Sequence, residues 1–149
     1  MNTTLVIATC DSYSFLWENL AILTDRYLPF SEKVVSCENN SFPYEGYTSV
    51  TCSSSLWGER IIKTLDNIKT DFVFFILDDY YFIQKFDVNF FNQIESLLQI
   101  TEYNKYCLDC TNYSNYRLIP FNKNIFIHHQ SSEYLTTLQP SVWRTSYLK

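Results

Sequence analysis

An α/β domain with a mostly parallel central sheet flanked by helices is the fold this sequence predicts, on three observations. Phe72-Val73-Phe74-Phe75-Ile76-Leu77 is the longest apolar run in the chain, rich in aromatic and β-branched residues, as a strand buried on both faces should be. Asp78-Asp79 follows it directly, which puts two carboxylates at the carboxyl edge of a sheet, where open α/β sheets bind ligands. Strand-like and helix-like segments alternate with short connections, the pattern of parallel strands joined by crossover helices. At 149 residues one domain is expected, spanning 1–149 and able to bury a real core.

Taken in order, Thr4–Ala8 reads as a first strand and Cys10 to Ser14 as a loop. Ser14 then caps a helix running through Leu28, with Leu16, Leu20, Leu23 and Tyr27 at helical spacing and Pro29 as its stop. Lys33–Cys37 is a second strand, and Asn39 to Tyr47, with Asn, Pro and Gly, is loop. Thr48–Cys52 reads as a third strand. Ser53, Ser54 and Ser55 offer caps for the next helix, whose face carries Trp57, Ile61, Leu65 and Ile68.

After the acidic pair, Asp87 caps a helix bearing Phe90, Phe91, Ile94, Leu97 and Leu98. Tyr106–Leu108, Asn124–Ile127 and Glu133–Leu138 read as further strands and Tyr113–Pro120 as loop. Pro140 bends the chain, and Thr145 caps a last helix cut short at Lys149, so the domain is expected to be truncated at its C-terminus.

Bulk properties exclude several classes. A net charge of −5 argues against a duplex nucleic-acid binder, which needs a basic face. No segment approaches the roughly 18 apolar residues of a membrane span, and the apolar N-terminal stretch is too short for a signal peptide. A cytoplasmic location is expected. Five scattered cysteines do not form a disulfide framework, and reduced thiols are expected. Cys107-Leu-Asp-Cys110 is a single CxxC, where structural zinc wants four ligands. His128 and His129 are adjacent, so a regular strand cannot turn both rings to one metal.

Chemistry concentrates at the strand exits. Oxygen-only ligands at Asp78 and Asp79 select hard cations, Mn²⁺ or Mg²⁺, which bind substrate phosphates through one or two carboxylates; the alternative is a pair of turn residues. The exit of the first strand, Thr9 to Asp11, faces the ligand in α/β nucleotide binders. Asp11 either contacts a base or ribose or caps the helix. Neither the glycine-rich dinucleotide fingerprint nor a P-loop is present. Arg60 can approach a diphosphate; otherwise Trp57 is core and Arg60 lies on a solvated basic face. Dehalogenase-like phosphatases want a second Asp where Tyr80 stands, and receiver domains want their acids after the first strand.

Four segments together, Thr4 to Asp11, Trp57-Gly-Glu-Arg60, Phe74 to Phe82 and Leu138-Gln-Pro-Ser-Val-Trp143-Arg144, resemble the nucleotide-binding half of GT-A type glycosyltransferases of bacterial capsule and lipopolysaccharide loci. The resemblance implies a Rossmann-like GT-A architecture, a nucleotide-sugar donor, a glycan or lipid-linked acceptor, Mn²⁺ or Mg²⁺, and a peripheral place at the inner face of the membrane. It makes Asp78 and Asp79 the metal motif, one of them meeting the ribose, with Asp11 on the nucleotide and Gln139 and Trp143 lining the sugar or acceptor; Thr9 and Arg60, from their own positions, are expected on the nucleotide with Asp11 and Asp78. The family pattern is Asp-any-Asp, and Tyr80 leaves open which carboxylate meets the metal. Relatives continue past the Trp-Arg segment to an acidic element that serves the acceptor or supplies the base. Here Glu133 is the only late carboxylate. The expectation is a glycosyltransferase or its donor-binding part, with an inactive nucleotide-sugar-binding or interaction module as the alternative.

Overall fold

The computed structural model describes residues 1–108 and 138–149, with the backbone of two short strands at 118–120 and 126–128. Six strands form one sheet: β1 (Thr3–Ala8), β2 (Lys33–Cys37), β3 (Thr48–Thr51), β4 (Phe72–Leu77), β5 (Lys105–Cys107) and β8 (Ser141–Arg144). Their order is β3-β2-β1-β4-β8-β5. The first four are mutually parallel, and β8 runs antiparallel to both of its neighbours. A separate antiparallel pair joins β6 (Leu118–Pro120) and β7 (Phe126–His128). The predicted α/β class and mostly parallel sheet hold.

Side-chain alternation divides the core between the two faces of the sheet. Leu5, Ile7, Phe72, Phe74 and Ile76 face α1 (Trp17–Tyr27) and α3 (Val88–Ile100), meeting Leu20, Phe91, Ile94 and Leu98. Val6, Ala8, Val73, Phe75 and Trp143 face α2 (Trp57–Asp66), meeting Ile61, Leu65 and Ile68. Residues 72–76 are almost wholly buried, which is why a continuous apolar run is needed there. Helices on both faces are what a parallel sheet requires.

Several local expectations change. Asp11–Leu16 is a 3-10 turn rather than loop, and Ser14 lies inside it, so α1 starts at Trp17 without a side-chain cap. Leu28 is extended, as a residue before proline should be, and α1 ends at Tyr27. At α2 the cap position is Leu56, not a serine. Ser54 Oγ instead accepts from Leu56 N at 3.1 Å and donates to Glu59 Oε2 at 2.5 Å, a brace placed two residues early. Asp87 does cap α3, accepting from Phe90 N at 2.8 Å.

Residues 118–120, expected within a loop, form β6, because the pairing partner β7 supplies what local sequence does not. The expected strand at 124–127 is β7, shifted to 126–128. The expected strand at Glu133–Leu138 lies almost wholly outside the described residues, as do Cys110 and His129.

The C-terminal segment holds the largest surprise. Ser141–Arg144, to which local sequence assigns no element beyond the bend at Pro140, is a buried strand inserted between β4 and β5. Thr145 is the first residue of the short helix α4 (Thr145–Leu148), not its cap, and its hydroxyl donates to Thr70 O at 2.8 Å. Arg144 closes the far end of α3. Its guanidinium donates to Leu98 O, to Thr101 O at 3.0 Å and to Tyr103 O at 3.1 Å. These are orphan carbonyls at and just past a helix C-terminus, where a cation is favoured. Arg144→Met should therefore cost about 2–3 kcal/mol, read by urea unfolding at pH 7. Wild-type stability in this variant would show that the carbonyls find water equally well.

Candidate functional site

Because Ala8 and Leu77 are in register across the β1–β4 ladder, the next residues, Thr9 and Asp78, emerge side by side. This seam is also where strand order reverses: β1 leads through α1 to β2 on one side, and β4 lies on the other. Crevices at such reversals bind ligands at the carboxyl ends of the strands.

Asp78 is only 6% exposed, and a buried carboxylate needs donors. Thr9 Oγ1 donates to its Oδ2 at 2.5 Å, and Trp17 Nε1 donates to Thr9 Oγ1 at 2.8 Å. Burial pushes the Asp78 carboxyl above its ordinary range; the Thr9 hydroxyl pulls it partly back, and the charge of Asp79 pushes it up again. Asp79 itself is exposed, on a tight turn closed by Tyr80 N donating to Leu77 O at 3.3 Å. One carboxylate is thus fixed within the seam and its neighbour stands free to meet a ligand.

Gln139 joins this group. Tyr80 Oη donates to Gln139 Oε1 at 2.6 Å, which ties the exit of β4 to the entry of β8. Asp11 sits on the β1–β2 side instead. It accepts from Asn39 Nδ2 at 3.0 Å and from the backbone amides of Asn39 and Asn40 at 3.3 and 3.1 Å. The Asn40 amide chiefly holds its carboxyl below the ordinary range. Asp11 therefore shapes the β2 exit loop and does not cap α1.

Arg60 lies further along the edge. It is buried, not on a solvated face, while Trp57 beside it is 38% exposed, the reverse of the expected core tryptophan. Nη1 of Arg60 pairs with Glu38 Oε1 at 3.3 Å and donates to Ser54 O at 3.4 Å. Glu38 also accepts from Asp11 N at 3.4 Å. The Arg60 charge is thereby engaged at the β2–β3 tip, two strands from Asp78 and roughly 10 Å away by strand spacing.

Trp143 does not join the site. It pairs with Val73, five residues before Asp78 along β4, and is buried in the core on the α2 face. That is roughly 16 Å from the acidic turn at strand rise. Lys105 Nζ lies 4.6 Å from its ring and Tyr147 stacks on it.

Sequence reasoning misses Trp17, Glu38, Asn39 and Asn40 as site residues. Glu38-Asn39-Asn40 carries a usable signal, since polar residues directly after a buried strand are what mark Asp78. Trp17 carries none, because its link to Thr9 depends on the 3-10 turn between them.

The donor atoms at the acidic turn are all oxygen: two carboxylates and the Thr9 hydroxyl. That chemistry suits a hard divalent cation held with water and phosphate, not zinc. Among the described residues no three His, Cys, Asp or Glu side chains gather to form a complete protein cage. Cys10, Cys37 and Cys52 are free thiols. Among the described residues no helix is long and apolar enough to cross a membrane.

No family model matches the chain, and no curated protein does. Among solved structures, the bifunctional IspDF from Campylobacter jejuni matches with a TM-score of 0.56 and 16% identity, over 97% of this chain and 41% of that one. The chain thus spans less than half the length of that protein. This finding corrects the glycosyltransferase resemblance. An acid-ended buried strand beside the exit of the first strand belongs to the sheet edge, so motifs such as Leu77-Asp78-Asp79 carry the architecture and not the reaction. What the chain shares, at this level of identity, is the fold of part of IspDF, and glycosyl transfer has no support.

Proposed function

We propose that this chain is the nucleotide-binding domain of a transferase-like enzyme, with a nucleoside di- or triphosphate held at the carboxyl edge of β1, β2 and β4. The single observation behind the reading is the Thr9–Asp78 bridge at the strand reversal, which leaves Asp79 exposed beside it. The base and ribose lie toward Asp11, Asn39 and Asn40, and the phosphates toward Asp79. Phosphates cannot approach two carboxylates unaided, so the site needs a cation of the Mn²⁺ or Mg²⁺ class. When bound there, such an ion neutralises the phosphates and stabilises charge developing on a phosphate oxygen during transfer. Gln139, fixed by Tyr80, lines the same side. Arg60 holds the β2–β3 tip through Glu38 and acts on the nucleotide only indirectly.

Calorimetric titration of the chain with UTP, CTP, ATP and GTP, and with their diphosphates, tests this in Mn²⁺, in Mg²⁺ and in chelator. At least one nucleotide should bind in metal, and at least roughly tenfold more weakly in chelator. No binding of any nucleotide in either metal would remove the reading. Equal affinity in chelator would remove the cation from it.

A further inference from the structure

We propose that Trp17 is a positioning residue of this site, holding the acidic turn in place through the Thr9 hydroxyl; the inference rests on the nucleotide-site reading above. A threonine hydroxyl has one hydrogen to give. The indole N–H of Trp17 can only donate, and it points at Thr9 Oγ1 at 2.8 Å. The Thr9 hydrogen is therefore directed outward, with two acceptors in reach: Asp78 Oδ2 at 2.5 Å and Cys10 O at 3.4 Å. The near acceptor takes it. Trp17 thus fixes the direction of the hydroxyl, and the hydroxyl fixes the buried carboxylate from which the turn bearing Asp79 departs.

The same side chain reaches the other half of the site. Its ring packs on Phe42, with centroids 5.4 Å apart. Phe42 belongs to the β2 exit segment, whose start is held by Asp11 through Asn39 and Asn40. Trp17 is 5% exposed and lies between these two sides, in contact with both. A purely apolar residue at position 17 keeps the contact with Phe42 and loses the link to the acidic turn, so the two roles can be separated by substitution.

Three variants make that separation. Trp17→Phe keeps an aromatic ring without the N–H. Thr9→Val removes the hydroxyl at nearly constant volume. Thr9→Ser retains it. With UTP, CTP, ATP, GTP and their diphosphates as probes in Mg²⁺ and in Mn²⁺, Trp17→Phe and Thr9→Val should bind whichever nucleotide the wild type takes about five- to tenfold more weakly. Thr9→Ser should recover most of what Thr9→Val loses.

A second readout does not depend on how well the variants fold. The Trp17 indole N–H resonance, assigned in the wild-type protein, should shift when Mg²⁺ and the bound nucleotide are added together. An unmoved indole signal in a protein that binds nucleotide overturns the positioning role, as does wild-type affinity in folded Trp17→Phe and Thr9→Val. If the wild-type chain binds none of the nucleoside di- or triphosphates in either Mn²⁺ or Mg²⁺, the nucleotide site itself has failed, which is a different result.

Discussion

Asp78→Asn is expected to make the protein more stable at neutral pH while removing metal-dependent nucleotide binding. The sign comes from burial. Loss of water pushes the Asp78 carboxyl above its ordinary value near 3.8, more than Thr9 pulls it back, and Asp79 adds repulsion. A group whose folded pKa is raised favours the folded state most when protonated, below the unfolded value, and that advantage is lost as pH rises through the folded pKa. Above that window the wild-type protein carries an unfavourable buried charge, which asparagine lacks. Its amide oxygen still accepts from Thr9. A gain of about 1 kcal/mol, or roughly 2–4 °C in thermal midpoint, is expected at pH 7. The gain should shrink on acidification and vanish below the ordinary carboxylate range, where wild-type Asp78 is also neutral. Thermal unfolding of both proteins across that range measures it. A less stable asparagine variant at pH 7 would mean that the carboxylate is held by its donors on balance, and that no strain is stored at the turn.

Asp79→Asn should share the loss of binding but not the gain in stability, which should change little. Asp79 is exposed, and surface substitutions away from packed or paired groups usually lie within about 0.5 kcal/mol. On the proposed reading, however, it is the exposed carboxylate beside the seam that a divalent cation would meet first. Even the loss of a partner behind a metal ligand commonly costs roughly 10–100-fold in metal affinity, and losing the ligand itself should cost no less. Metal-stimulated nucleotide binding in Asp79→Asn should therefore fall to the level of wild type in chelator. Retained stimulation would move the cation elsewhere. Together the two variants would separate an aspartate buried at a cost from one exposed at the site's surface, a division the sequence pair alone does not reveal.

Legibility depends on where each structural signal is stored. β1, β2 and β4 are readable almost to the residue, because strands buried on both faces need an apolar, β-branched run, and Leu5-Val6-Ile7-Ala8, Val34-Val35 and Phe72–Leu77 supply one. Asp87 is readable as a cap because that interaction spans three residues. By contrast, β8 is four residues long, lies just past a proline and contains Ser141 and Arg144. Its strand character comes from lying between β4 and β5, which no local window contains. The same reason explains Trp57 and Arg60. Helical spacing marks Trp57 as core, but Glu38, twenty-two positions before Arg60, supplies the partner that lets Arg60 be buried.

The site is legible in the same partial way. Strand ends and adjacent acids locate Thr9, Asp78 and Asp79, and the structure places them together at the strand reversal. Gln139 is found through a resemblance whose reaction does not survive, and it lies beside the acidic turn through Tyr80. Trp143, from the same segment, faces the core because four extended residues carry it roughly 13 Å from Gln139, back along β4 to Val73.

Mn²⁺-induced broadening of backbone amide signals, recorded in the presence of the tightest-binding nucleotide, tests the site most directly. Thr9, Cys10 and residues 78–80 should disappear first, with Asn39 and Asn40 weakened less and the Asp25–Lys33 surface pair unaffected. Broadening centred on any other acidic group, with the signals of the β1–β4 seam intact, would contradict the assignment.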